Sequence, residues 1–228
     1  MQTQPVKFAA AQILVFAKAP IENQVKTRLI PELGVSLATA LYKAMLEQTI
    51  ATVTHSNLCS IKLLCTPDSN HPYFQQLKSK YAIQLGIQQG ADLGERMYHG
   101  ALHALQSFKS VILLGTDCLQ LTESLIGQTL AGLISNAHDA VITPAKDGGY
   151  VLMGLNKIDD CLFSNIAWGT EAVMDQTRRA LTQLKWNWLE TPALNDIDTF
   201  DDLKLAYKNK HQHPLNAGVR ELLQSVFD

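Results

Sequence analysis

Val111-Ile-Leu-Leu-Gly-Thr-Asp-Cys118 is the stretch from which the fold of this chain is read. Four apolar residues in a row, stopped by Gly115 and followed closely by the lone carboxylate of Asp117, have the form of a buried strand. Such a strand delivers an acid to the ligand edge of an α/β sheet. An acid at that point is suited to holding a divalent metal, and equally to closing a turn at the strand end.

Upstream, Ile13 to Phe16 predicts a first buried strand. The polar segment Lys18 to Arg28, bounded by Pro20 and Pro31, predicts a loop placed to meet a ligand. After Gly34 the apolar positions Leu37, Leu41, Ala44, Met45 and Ile50 recur at helical spacing, and Ile61 to Cys65 returns to a strand, completing one βαβ unit. His71 to Tyr81 predicts a short helix, Ile83 to Ile87 a strand, and Leu93 to Phe108 an amphipathic helix leading into Val111. Downstream, Thr122 predicts the cap of a helix through Leu133, and Ala140 to Thr143 a strand broken at Pro144. Gly148 and Gly149 mark a tight turn, and Tyr150 to Leu155 a returning strand that makes the sheet mixed. Thr170 predicts the cap of a helix to about Leu184, and Thr199, ahead of Asp201 and Asp202, the start of a last helix. Lys208 to Pro214 is polar enough to be mobile. Alternation of this kind predicts a layered α/β fold with its ligands at the carboxyl ends of the strands.

At 228 residues, 46% hydrophobic and 18% charged, the chain has the material for one domain over residues 1–228 and too little for two generous ones. A formal net charge of -2 lacks the basic total of a general nucleic-acid binder, so any phosphate site is local. Cys59, Cys65, Cys118 and Cys161 form no C-x-x-C pair, which speaks for reduced, buried thiols in a cytoplasmic protein rather than a zinc or disulfide framework. Lys7 and the apolar run Phe8 to Phe16 mimic a signal peptide ending in Ala17-Lys-Ala19, but Gln12 interrupts the run. No segment reaches the length of a transmembrane helix.

Several clusters carry possible chemistry. Lys18, Lys26 and Arg28 share the early loop, where fixed cations neutralise phosphate oxygens, although no P-loop or dinucleotide fingerprint accompanies them. Asp117 needs a second carboxylate to hold Mg²⁺. Asp198 and Asp196 are the candidates, Asp196 reading equally as a turn residue and Asp201 and Asp202 as helix-start charges. Pro144-Ala-Lys-Asp-Gly-Gly-Tyr150 places Lys146, Asp147 and Tyr150 around two glycines that permit close backbone approach, more than a plain hairpin turn requires. Asp92-Leu-Gly-Glu-Arg-Met97 sets Gly94 and Arg96 at a helix start, suited to an anion or simply to capping. Glu95, His99 and His103 share a helical face but lack H-E-x-x-H, and read as an exposed face. Trp168 reads as packing or as a ligand shield. No Ser-His-Asp or Cys-His arrangement stands out.

Six segments together, in this order, carry a resemblance: Phe16-Ala-Lys-Ala-Pro20, Val25-Lys-Thr-Arg-Leu29, Asp92-Leu-Gly-Glu-Arg-Met97, Gly115-Thr-Asp-Cys118, Pro144-Ala-Lys-Asp-Gly-Gly-Tyr150 and Asp196-Ile-Asp-Thr199. They span nearly the whole chain. On them the chain resembles the bacterial glycosyltransferase family associated with radical-SAM and selenoprotein-domain clusters, also assigned to arsenosugar biosynthesis, within the nucleotide-diphospho-sugar transferase superfamily. It is similar, more distantly, to phospholactate guanylyltransferase and the molybdenum-cofactor nucleotidyltransferases. The resemblance implies a single three-layer, Rossmann-like GT-A domain with a mixed, mostly parallel sheet, binding a nucleotide sugar or NTP with Mg²⁺ or Mn²⁺. It implies Asp117 and Asp198 as metal ligands, Lys18, Lys26 and Arg28 as the phosphate-side loop, and Asp147, Gly148 and Gly149 as the segment facing sugar or acceptor. The chain departs from the family pattern at Glu22-Asn23, where a Pro-Gly pair is common, at Leu119, where proline is usual, and at Gly169, where serine is usual.

The expected activity is metal-dependent transfer from a nucleotide-diphospho-sugar to a small-molecule acceptor, with Asp147 orienting or deprotonating the acceptor hydroxyl. One alternative is nucleotidyl transfer from an NTP to a phosphorylated small molecule, with Lys26 stabilising the charge that develops. The other is a nucleotide-binding partner without turnover. The sequence specifies neither base, sugar, acceptor nor oligomeric state.

Overall fold

In a computed structural model, which describes residues 6–212 and 215–228, the apolar runs around Leu14 and Leu113 lie side by side at the centre of one sheet. In chain order the strands are β1 (Ala11–Lys18), β2 (Ser60–Thr66), β3 (Gln84–Ile87), β4 (Ser110–Leu114), β5 (Ala140–Pro144), β6 (Tyr150–Leu155) and β7 (Trp188–Glu190). The helices are α1 (Ile30–Leu33), α2 (Val35–His55), α3 (Pro72–Lys80), α4 (Leu93–Leu105), α5 (Glu123–Ile134), α6 (Val173–Gln183), α7 (Phe200–Lys208) and α8 (Ala217–Phe227). The sheet order is β3-β2-β1-β4-β6-β5-β7. β6 is antiparallel to both its neighbours, β4 and β5, and every other pairing is parallel, which gives the mixed, mostly parallel sheet expected.

Alternation along the central strands explains the three layers. Ile112 and Leu114 join Ile13 and Val15 in a core covered by α2, α3 and α5. Val111 and Leu113 point the other way, to Leu14, Met97 and Ala101, beneath α4 and α6. A strand buried on both faces therefore reads as a continuous apolar run, and Val111 to Leu114 does. A third cluster, including Leu41, Met45, Leu119, Ile197, Leu203 and Val219, ties α2 to α7 and α8. It lies directly behind the loops that carry Asp117 and Asp198.

Local signals set most boundaries. Thr122 Oγ1 accepts from Leu125 N, and Thr199 with Asp202 forms a complete capping box. Thr170 is a correction: its hydroxyl closes a turn between Ala167 and Ala172, and α6 begins only at Val173. The helix opened by Thr199 is not the last, because Asn216 caps α8. β7 was not expected at all; its three residues are held as a strand by pairing with β5. The polar stretch expected to be mobile is a turn from Asn209 to Gln212, and its last residues, 213 and 214, lie outside the described residues. The signal-like segment is β1, whose Gln12 is buried and donates to Ser60 Oγ. The four cysteines are free, and burial pushes Cys59, Cys65 and Cys118 up to about 12. Among the described residues no helix is long and apolar enough to cross a membrane.

Leu113 is fully enclosed between β1, β6 and α4, so Leu113→Ala leaves a cavity the surroundings cannot close. Urea unfolding followed by circular dichroism should show a loss of about 2–5 kcal/mol; a loss below about 1 kcal/mol would contradict this packing.

Candidate active site

β1 and β4 end side by side, and the segments that follow them meet a third segment, residues 195–198, that leads into α7. Their junction is the ammonium of Lys26. Its Nζ stands 2.8 Å from Asp117 Oδ1 and 3.1 Å from Asp198 Oδ1, and it donates to the Ile197 carbonyl oxygen. The Lys26 side chain is 4% exposed, against 45% for Asp117 and 37% for Asp198. Burial pulls the ammonium pKa down, but Asp117 and Asp198 together outweigh it and hold the pKa above the ordinary lysine value. The Asp117 Oδ1 atom is itself buried, and the Lys26 ammonium stands against it. Lys26 also has a left-handed backbone, φ 47°, which costs a residue with a β-carbon about 1–2 kcal/mol.

The frame around this junction is rigid. Ile197 N donates to the Asp117 carbonyl at 2.9 Å, and Asn195 N and Nδ2 donate to Gln120 Oε1 at 2.7 and 3.0 Å. Leu119, in place of the family's proline, is buried in the third cluster and does not free the turn. Tyr42 on α2 was missed in the sequence, where it reads as one more residue of the helix's apolar face. Its hydroxyl accepts from Lys18 N and donates to Lys18 O, both at 2.9 Å, and so pins the end of β1. Asn23, in place of the family's glycine, takes φ 63°, a left-handed conformation that asparagine tolerates.

Asp196, which the sequence offers equally as a metal ligand and as a turn residue, lies at the site. In the extended segment Asp196-Ile197-Asp198, alternate residues face the same way, so Ile197 is buried while both acids turn outward. Carboxylate oxygens of Asp147, Asp196 and Asp198 lie within 4.8 Å of one another. Burial, followed by the charge of Asp147 and then of Asp198 and Asp202, pushes Asp196 up to about 6. Asp147 Oδ1 accepts from Gly149 N at 2.9 Å, which sets the carboxylate at the turn. Gly148, at φ 95°, is packed so tightly that a β-carbon there would stand 2.3 Å from the Glu171 carbonyl oxygen.

These acids border a cavity of about 260 Å³. Its apolar walls include Phe16, Leu93, Met97, Tyr150 and Trp168, and Tyr150 meets Trp168 edge-on at 6.3 Å. Its charged lining is Asp117, Asp147, Asp196 and Asp198, with no lysine or arginine. The donor set, hard carboxylate oxygens of Asp147, Asp196 and Asp198 close together, fits a hard divalent cation rather than a thiol- or imidazole-selective metal.

The structure brings together Lys26, Asp117, Asp147, Asp198, Gly149 and Tyr150. Arg28 stays at the rim, 68% exposed and 3.7 Å from Asp198 Oδ2. Lys18 is the last residue of β1, its backbone pinned by Tyr42 and its side chain exposed. Gly94 is buried against the Phe163 carbonyl and Trp168, where a β-carbon would stand 2.4 and 2.5 Å from them, so it is a packing residue. Arg96 lies on the other side of α4 from the acids, its Nε donating to the Gly90 carbonyl. The Asp92 motif acts as a cap: Asp92 Oδ1 accepts from Glu95 N, and Glu95 Oε2 accepts from Ala91 N.

Residues 49–170 match the family model described as an uncharacterized protein conserved in bacteria (DUF2064). The crystal structure of a protein from Desulfovibrio desulfuricans G20, provisionally designated a nucleotide-diphospho-sugar transferase, is 30% identical. The match covers 96% of this chain and 99% of that one, with a TM-score of 0.84. The chain belongs to this family. Two further structures share the fold. 4-Diphosphocytidyl-2C-methyl-D-erythritol synthase from Anaerococcus prevotii DSM 20548 is 13% identical, with a TM-score of 0.59 over 89% of this chain and 99% of that one. Glucosyl-3-phosphoglycerate synthase from Mycobacterium tuberculosis, in complex with Mn²⁺, UDP and glucosyl-3-phosphoglycerate, is 9% identical, with a TM-score of 0.52 over 96% of this chain and 80% of that one. No curated protein sequence matches. The family member is thus placed among the transferases of the nucleotide-diphospho-sugar fold.

The raised Asp196 pKa gives a pH-dependent prediction. A carboxyl group at about 6 when folded, against 3.8 ordinarily, favours the folded state most when protonated. Its destabilising charge is therefore felt above pH 6 and relieved as pH falls toward 4. In metal-free buffer at pH 7.5, Asp196→Asn should raise stability by about 1–2 kcal/mol, solvent screening included, and the gain should shrink as pH falls from 6 to 4. Thermal unfolding across that range checks it; a gain that grows on acidification would contradict the assignment.

Proposed function

We propose that the chain is a metal-dependent glycosyltransferase, moving a sugar from a nucleotide-diphospho-sugar to the hydroxyl group of a small acceptor. The carrying observation is the segregation of charge. Lys18, Lys26 and Arg28 lie in the early loop, while the cavity beside it is lined by four carboxylates and by no lysine or arginine. A phosphorylated acceptor, which nucleotidyl transfer onto a phosphate needs, would enter against those carboxylates. One divalent ion and Lys26 would bring three positive charges against four negative ones, leaving the cavity acidic. A neutral hydroxyl acceptor meets no such repulsion, and a carboxylate is the group that orients and deprotonates it.

Asp198, flanked by Asp117 and Asp196, would hold Mg²⁺ or Mn²⁺ with donor phosphates completing the shell. An ion bound there supplies positive charge as the diphosphate departs. Lys26 neutralises Asp117 and Asp198 until the donor arrives and then turns its ammonium to the diphosphate. Lys18 and Arg28 meet the same oxygens from the loop, Arg28 as a bidentate donor. Asp147 takes the proton of the acceptor hydroxyl; with Oδ1 fixed by Gly149 N, its other oxygen is free to do so. Trp168 and Tyr150 shield the sugar side of the cavity from water.

The test is a panel of nucleotide sugars with Mn²⁺ or Mg²⁺ and hydroxyl acceptors, read as nucleoside diphosphate release. Transfer is expected, with Asp147→Asn lowering kcat by about 10²–10⁴-fold and leaving the donor KM nearly unchanged. Pyrophosphate release from an NTP with a phosphorylated acceptor would replace this reading by nucleotidyl transfer. Nucleotide-dependent thermal stabilisation, lost in Asp117→Ala but without turnover of any donor, would replace it by binding alone.

A further inference from the structure

α4 separates the acid-lined cavity from a second, larger groove of about 410 Å³, and the two share no lining residue. We infer that this groove binds a small organic phosphate with an apolar or ring-shaped body. The groove arises from the layering. α3 covers β2 and β3 on one face, whereas α4 on the other face lies over β1 and β4 and leaves the outer strands open. Its floor is Leu14, Leu64 and Gly86. Lys62 comes from the sheet, and Arg96, His99 and His103 come from successive turns of α4.

Three features point to an anion. No carboxylate lines the groove, in a chain where acids outnumber Lys and Arg by 21 to 19. Its donors are unspent: Lys62 and His103 pair with no acid among the described residues, and Arg96 uses only Nε, leaving both terminal guanidinium nitrogens. His99 Nδ1 lies 3.1 Å from the Gln89 carbonyl oxygen, which fixes the ring on the groove wall. The glycine at position 86 gives Lys62 its place. A β-carbon there would stand 2.7 Å from Lys62 Cε and 2.9 Å from Leu64 Cδ2, so the lysine stem lies across a bare backbone. Cations on the walls over an apolar floor complement a phosphate attached to an apolar body, and the size is that of a small-molecule site.

The test uses phenyl phosphate as probe and phenol as its uncharged counterpart, followed by amide chemical shifts of the isotope-labelled protein. Phenyl phosphate should move the amides of Gly86, Gly100 and His103 saturably, and phenol should not. Lys62→Glu with His103→Glu should weaken that response by about tenfold or more while leaving any response at Lys18 to Arg28 in place. Lys62→Ala serves if the double variant does not fold. Shifts confined to Lys18–Arg28 and Asp117, equal shifts with phenol, or an undiminished response in the variant would overturn the inference.

Discussion

A buried ammonium between two carboxylates organises the working edge of this protein. Removing Lys26 from water costs several kcal/mol unless opposite charge and hydrogen-bond acceptors surround it. Asp117, Asp198 and the Ile197 carbonyl provide that company. Three parts of the chain meet here: Asp117 from the end of β4, Ile197 and Asp198 from the approach to α7, and Lys26 from the early loop. The three segments must therefore be in register for any of them to be stable. The left-handed backbone at Lys26 adds a local cost, and strain of this kind persists only where the surroundings over-determine it.

From that junction the rest of the site follows. α7 and α8 press Ile197 into the third core cluster, which leaves Asp196 and Asp198 no direction but outward. Tyr42 fixes the end of β1. Gly148 and Gly94 let two loops close on the cavity more tightly than any side chain would allow. The outcome is a cavity acidic on one side and apolar on the other, beside a basic loop. That division suits a transferase holding a charged leaving group apart from an uncharged acceptor.

Much of this was legible in sequence because strands buried on both faces and capped helices leave strong local marks. Val111 to Leu114, Thr122 and Thr199 are examples. β7 left no such mark, since three residues become a strand only by pairing with β5. Asp196 reads equally as a metal ligand and as a turn acid until the burial of Ile197 reveals which way its neighbours face; the Asp-x-Asp spacing was the available signal. Arg96 was expected to meet the nucleotide or substrate because a helix-start motif gives position along an axis but not the face. Leu93 and Met97 turn to the cavity, and Arg96, only one residue before Met97, turns away. The pairing of Asp117 with Asp198 was expected through a metal, whereas the structure joins them through Lys26.

If the ammonium stands where a divalent ion competes for Asp117 and Asp198, removing it must expose those carboxylates to metal. The direct measurement is calorimetric titration of Mn²⁺ into the wild-type protein and Lys26→Met, both without nucleotide. Tighter Mn²⁺ binding by the variant, about tenfold or more, is predicted. Equal or weaker binding would contradict the account, because it would mean that Lys26 and the metal do not share those acids.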